Sequence, residues 1–119
     1  VAAIMAEDWL ISLINMQKSC EKASTIEQGV KAIYYSIVEY AQIYEKIWTE
    51  YKGVPSGFGG RHLLLRSQLS ELLSDLLERH GRKEDMELCP LLAETVLACA
   101  MQKDIDYSVL SKAVIRLFL

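Results

Sequence analysis

Positive charge is scarce along this chain. It has no run of Lys or Arg beyond the pair Arg82-Lys83, its formal net charge is −3, and its pI is near 5.4. Nucleic-acid surfaces are built from clustered basic side chains, so these residues alone are not expected to bind DNA. An uninterrupted stretch of roughly 20 apolar residues, the length that crosses a bilayer, is also missing, and no signal-peptide pattern opens the chain. No membrane partner is expected. The opening VAAIM is already inside a helical pattern and lacks an initiator Met, so the expectation is that further sequence precedes it.

Metal-binding and catalytic patterns are equally thin. The two histidines, His62 and His80, are too far apart to share a helical turn, and no Cys or carboxylate cluster completes a ligand set. The three cysteines, Cys20, Cys89 and Cys99, are odd in number, widely spaced and set in apolar helical contexts. Buried reduced thiols in a cytosolic protein are expected, not disulfides. There is no nucleophile elbow, no paired-histidine motif and no carboxylate pair fixed within an apolar face. General acid–base work needs such a positioned group, so the chain is not read as an enzyme and no cofactor is called for.

What is present is apolar surface: 51% of the 119 residues are hydrophobic, enough for one core and too short a chain for two. The last third holds the surplus. Residues 91–101 read LLAETVLACAM, with only Glu94 and Thr95 polar, and a helix apolar on nearly every side has to be buried on nearly every side. Asp104 or Asp106 then starts a further helix, in which Val109, Leu110, Ala113, Val114, Leu117 and Phe118 recur at intervals of three and four. Such a pair would dock on its own domain with one face and on a second copy with the other. The expected seam uses residues 88–102 and 106–119, through Leu92, Val96, Leu97, Ala100 and Met101 of the first helix and Leu110, Ala113, Val114 and Leu117 of the second.

Earlier elements follow from the same periodicity. A first helix spans about residues 2–20, with Asp8, Ser12, Asn15 and Ser19 on one narrow line and Met5, Trp9, Leu10, Leu13, Ile14 and Met16 across the opposite side. Two overlapping capping signals, Ser24 with Glu27 and Thr25 with Gln28, begin the next helix. Val30, Ile33, Tyr34, Ile37, Val38 and Ala41 hold its period, which either continues through Tyr44 and Trp48 to Tyr51 or bends near Ala41. Tyr40, Tyr44, Trp48 and Tyr51 line one side of it, as core or as the wall of a pocket.

Residues 52–60, KGVPSGFGG, hold four of the six glycines and read as a loop that could carry Phe58 over a pocket as a flap. They are not a phosphate cradle, because no strand precedes them and no Gly-Lys-Ser/Thr ends them. Residues 61–80 predict a strong amphipathic helix. Leu65, Leu69, Leu72, Leu73 and Leu76 make its apolar face, Leu64 and Leu77 widen it, and Gly81 closes it, with Arg79 and His80 in the last turn. Arg82 to Asp85 reads as a solvated turn. Pro90 places the next helix start near Leu88, or a bend there if the helix starts at Asp85.

An apolar pocket is expected where the first helix, the aromatic helix and the Leu-rich helix converge. Trp9, Leu13 and Met16 would line it from the first, Tyr34, Ile37, Tyr40, Tyr44 and Trp48 from the second, and Leu65 and Leu69 from the third, with Phe58 above. The tyrosine hydroxyls and Trp48 Nε1 would orient a ligand. The order and lengths of these elements resemble the C-terminal effector-binding and dimerisation domain of TetR-family transcriptional regulators. Residues 1–20 resemble the family's connecting helix, TIEQGVKAIYYSIVEYAQIYEKIWTEY its two pocket helices with a break after Tyr-Ala, RHLLLRSQLSELLSDLLERHGRKED its long central helix, and LCPLLAETVLACAMQKDIDYSVLSKAVIRLFL its final pair.

That resemblance implies an all-α bundle of five to six helices whose last two form a four-helix bundle with those of a second copy. It implies a homodimeric, ligand-responsive regulator, read as a repressor released from DNA by a small apolar or aromatic molecule. The family's N-terminal helix-turn-helix is absent from these residues, so DNA would be bound only through a domain outside them. The competing reading is an all-helical protein-interaction module without a small-molecule ligand.

Overall fold

The computed structural model describes residues 2–50, 62–101 and 106–118, with side-chain surroundings given for 7–43, 64–100 and 106–116. Five α-helices follow one another: α1 (Ala2–Lys22), α2 (Ile26–Glu50), α3 (His62–Arg79), α4 (Cys89–Met101) and α5 (Tyr107–Phe118), with a 3-10 helix, Lys83–Leu88, between α3 and α4. Among the described residues there is no strand, and none of the helices is long and apolar enough to cross a membrane. The fold is an all-α bundle. The loop at 52–60 lies outside the described residues.

α2 is the hub, since it packs against α1, α3, α4 and α5 alike. Its start uses one of the two overlapping caps: the Gln28 amide donates to Thr25 Oγ1 at 3.1 Å, and Gln28 Oε1 accepts from the Ser24 amide at 2.9 Å. Those bonds occupy donors a helix start otherwise leaves open. The helix then runs through Ala41 to Glu50 without interruption, so the break that the resemblance implied after Tyr40-Ala41 is not there. No Pro or Gly stands near Ala41 to cause one.

The core lies between α2, α3 and α4. Val30, Ile33, Ile37, Leu69, Leu73, Leu76, Leu77, Cys89, Ala93 and Val96 have no accessible surface, and each large side chain buried this way contributes about 1.5–3 kcal/mol. Gly29 explains how closely α2 and α3 approach, because a Cβ placed there would sit 2.4 Å from Leu76 Cδ2. α3 ends as its sequence predicts. Gly81 adopts φ 74°, its amide donates to Glu78 O at 3.2 Å, and the Arg82 amide donates to Leu77 O at 2.8 Å. This is the pair of bonds of a Schellman motif.

Two expectations are corrected here. The charged stretch after α3 enters the 3-10 helix Lys83–Leu88, and α4 begins at Cys89, near Leu88 as expected. Pro90 thus falls in the first turn, where its missing N–H costs nothing. The dry face of α1 is also narrower than the pattern suggests. Trp9, Met16 and Cys20 are buried, but Leu10 and Ile14 are 53% and 52% exposed. Among the described residues α1 packs on α2 and α3, and two neighbours on one side cover a single arc.

Candidate functional site

The expected pocket residues meet, in part, at a three-helix junction. Trp9 of α1 is buried, meets the Tyr40 ring of α2 edge-on at 5.1 Å between centroids and 67° between planes, and donates from Nε1 to Gln68 Oε1 of α3 at 2.7 Å. Around it Met16, Ile37, Leu65 and Leu69 are buried, Leu13 is partly buried against the core, and Tyr34 is 7% exposed. Tyr34 is aimed elsewhere. Its ring packs on Tyr35 and Tyr107 at 5.1 and 5.2 Å, toward α5. The side chains of Tyr44 and Trp48, and the whole of Phe58, lie outside the described residues.

Gln68 is a site residue that the apolar pattern conceals. It follows Leu65 by three and precedes Leu72 by four, so its spacing puts it on the apolar side of α3, where a polar side chain needs a partner. Trp9 supplies one, and the bond fixes the rotation of α1 against α3. The arrangement is a closely packed apolar junction with one buried amide contact.

A second cluster was not legible beforehand. Tyr107, the first residue of α5, donates its hydroxyl to the Glu27 carboxylate and approaches the Glu27 carbonyl oxygen at 3.4 Å, while Ser111 Oγ donates to the same carboxylate at 3.0 Å. Its ring lies against Tyr34 and Tyr35, with Lys31 Nζ 5.8 Å from the centroid. Burial, and then the hydrogen bond to Glu27, push the Tyr107 hydroxyl well above its ordinary pKa. It stays a neutral donor, latching α5 onto the start of α2. Asp106 starts α5 as a cap, accepting from the Ser108 amide at 3.0 Å.

The expected dimer residues divide. Leu92, Val96, Leu97, Leu110 and Val114 are 0–3% exposed within the single chain, and Ala100 and Ala113 are half-buried; the side chains of Met101 and Leu117 lie outside the described residues. What α4 and α5 turn outward is a different set: Leu91, Ala98, Val109 and Ile115. The two polar residues of the α4 run are satisfied locally. Glu94 accepts from Arg66 Nη1 at 3.2 Å, and Thr95 Oγ1 donates to Leu91 O at 2.8 Å.

Three grooves open between the described helices. The largest of these, about 470 Å³, runs along α3 past Ser67, Ser70, Ser74 and Pro90. One of about 250 Å³ lies between the start of α2 and α5, and one of about 280 Å³ follows the seam of α1 with α2. Among the described residues, no three His, Cys, Asp or Glu side chains are placed to hold a metal ion. Cys20, Cys89 and Cys99 are free thiols. Burial raises the pKa of each, Cys20 to about 11.

Compared with family models, curated proteins and solved structures, the chain matches none.

Proposed function

We propose that this chain is the effector-sensing and dimerisation domain of a ligand-responsive transcriptional regulator, a TetR-like repressor released from DNA by a small apolar or aromatic molecule. The observation that carries this reading is the double role of α2. Its middle holds Tyr40 in the three-helix junction, and its first turn holds Glu27, which anchors α5 through Tyr107 and Ser111. Roughly 20 Å of unbroken helix separates them, at 1.5 Å per residue. A ligand that repositions α2 at the junction therefore moves the support of the pair that would meet a second copy. Its leverage is its differential affinity for the two arrangements and no more.

The partner surface in this proposal is the outward side of α4 and α5, Leu91, Ala98, Val109 and Ile115, in an isologous contact burying roughly 800 Å² per copy. A repressor of this kind works in the cytoplasm and contacts DNA through a separate domain. One observation favours the interaction-module reading: Trp9 Nε1 is already bonded to Gln68, and its neighbours Met16, Ile37 and Leu69 have no exposure, so the described part of the junction is filled.

The deciding experiment pairs sedimentation with thermal shift. The chain at micromolar concentration is expected to be a dimer. A panel of apolar aromatic compounds that includes naphthalene, biphenyl and indole is expected to contain at least one that raises the melting temperature of the unmutated chain and not of Gln68→Ala. A compound at 100 times its Kd adds about 2.7 kcal/mol. A monomer that no compound in the panel stabilises overturns the proposal and leaves the interaction module.

A further inference from the structure

The outer side of α1 carries exposed apolar side chains that no described neighbour covers. Leu10, Ile11 and Ile14 are 53%, 57% and 52% exposed, and spacings of three and four put them on one outward arc. Across the seam with α2, Ile43 is 49% exposed. Between them runs the groove of about 280 Å³, lined by Asp8, Ile11 and Ser12 of α1 and Ser36, Glu39, Tyr40 and Ile43 of α2. Ile11 and Ile43 line this groove and Leu10 and Ile14 lie beside Ile11 on the outer arc of α1, a grouping that exceeds the scattered singles an ordinary surface shows.

Among the described side chains, the charges at this groove have one sign. Glu7 and Glu39 are exposed and Asp8 is half-buried at the groove, and the sequence places no Lys or Arg from residue 1 to 17 or from 32 to 45. A second copy meeting this surface about a two-fold axis would set carboxylates against carboxylates, and like charges across an interface oppose association. A partner carrying positive charge beside apolar side chains meets no such penalty.

We propose that the α1–α2 groove is a docking site for a cationic amphipathic helix of another protein. Its apolar side chains, spaced at three and four residues, would lie against Ile11 and Ile43, and Lys or Arg beside them would face Glu7 and Glu39. This inference does not rest on the effector-sensing reading.

The test is fluorescence anisotropy of the whole chain with a labelled 14-residue helical peptide of Leu at heptad a and d positions and Lys elsewhere. Binding is expected to weaken as salt rises. Glu39→Lys, and separately the pair Ile11→Gln with Ile43→Gln, should each weaken it about ten-fold or more. These positions are half-exposed or fully exposed, so circular dichroism should show the helices intact. Val109→Gln, on the α4–α5 side, should leave the affinity unchanged.

The same peptide with Glu replacing Lys is expected to bind at least about ten-fold more weakly. Equal binding of the two peptides, or affinities indifferent to Glu39→Lys and Ile11→Gln with Ile43→Gln, would overturn the proposal. So would growth of the unmutated chain alone into species larger than a dimer that Glu39→Lys abolishes, which would assign the groove to a second copy.

Discussion

The outward faces of α1 and α4 are both apolar, and the charges around them set them apart. On α1, Leu10, Ile11 and Ile14 are rimmed by Glu7, Asp8 and Glu39. On α4, Leu91 and Ala98 lie beside Glu94, the single charged residue of that helix, which pairs with Arg66 of the same chain. A surface of one sign is poorly suited to meet its own copy, whereas a neutral one is not. Exposed apolar area alone therefore does not identify a partner. The sign of the rim does.

The sharpest way to break this comparison uses two neighbours on α4. Leu97 is 2% exposed and faces the core, while Ala98 is exposed. Leu97→Glu is expected to cost more than about 4 kcal/mol by burying a charge, and to unfold the chain at any concentration. Ala98→Glu should change monomer stability by less than about 0.5 kcal/mol, yet abolish dimerisation in sedimentation. If Ala98→Glu also unfolds the chain, α4 has no outward face and the contrast with α1 fails.

Next in size is the contact on which both faces depend. Gly29→Ala gains about 1 kcal/mol of helix propensity but drives a Cβ against Leu76, and overpacking of a closed core costs about 1–3 kcal/mol. A net loss of up to about 2 kcal/mol is expected. In a Leu76→Ala background the clash is gone, and the same substitution should become stabilising. Urea midpoints across the double-mutant cycle measure the coupling.

These residues also show how far the sequence could be read. The five helices, the Thr25–Gln28 cap and the left-handed Gly81 all follow from local chemistry. Periodicity shows which arc of a helix is apolar, though, and not how much of it the neighbours cover. Leu10 and Ile14 were therefore assigned to a dry face that α2 and α3 do not reach. Gln68 was readable from its spacing, whereas Gly29 depends on the approach of a helix about 45 residues away. Glu27 was read as a capping partner of Ser24 because the competing donors, Tyr107 and Ser111, are remote in sequence. Of the residues expected at the pocket, Trp9 and Tyr40 meet ring to ring, while Leu65 and Leu69 are buried in the common core.

Tyr107→Phe tests whether the latch holds the outward side of α5 in place. Losing a hydrogen bond to a charged group costs about 1.5–3 kcal/mol when buried, and Tyr107 is half-buried, so about 1 kcal/mol is expected. The pH dependence is more specific. The folded state raises the pKa values of Tyr107 and Cys20, so the unfolded chain gives up these protons first as pH rises. Their contribution is fully present below the unfolded values, near 9 for Cys20 and 10 for Tyr107. It is lost above them, through about 11 for Cys20. Urea midpoints should therefore fall from pH 8.5 upward. Tyr107→Phe should flatten the fall above pH 10, and Cys20→Ala the part between 9 and 11.

The smallest effect expected is at the pair that neutralises α4. Arg66 Nη1 and Glu94 Oε1 are 3.2 Å apart with side chains 39% and 34% exposed, and ion pairs of that exposure contribute about 0.2–1 kcal/mol. Arg66→Gln should therefore move the monomer's melting temperature by only about 1–4 °C. Its larger consequence would be at the proposed seam. With Arg66 gone, Glu94 loses the cation that pairs with it beside Leu91 and Ala98, and a two-fold contact brings two such carboxylates together. Dimer dissociation is expected to rise several-fold at low salt and to recover as salt is added. A dimer indifferent to Arg66→Gln would show that charge neutrality is not what separates the outward face of α4 from that of α1.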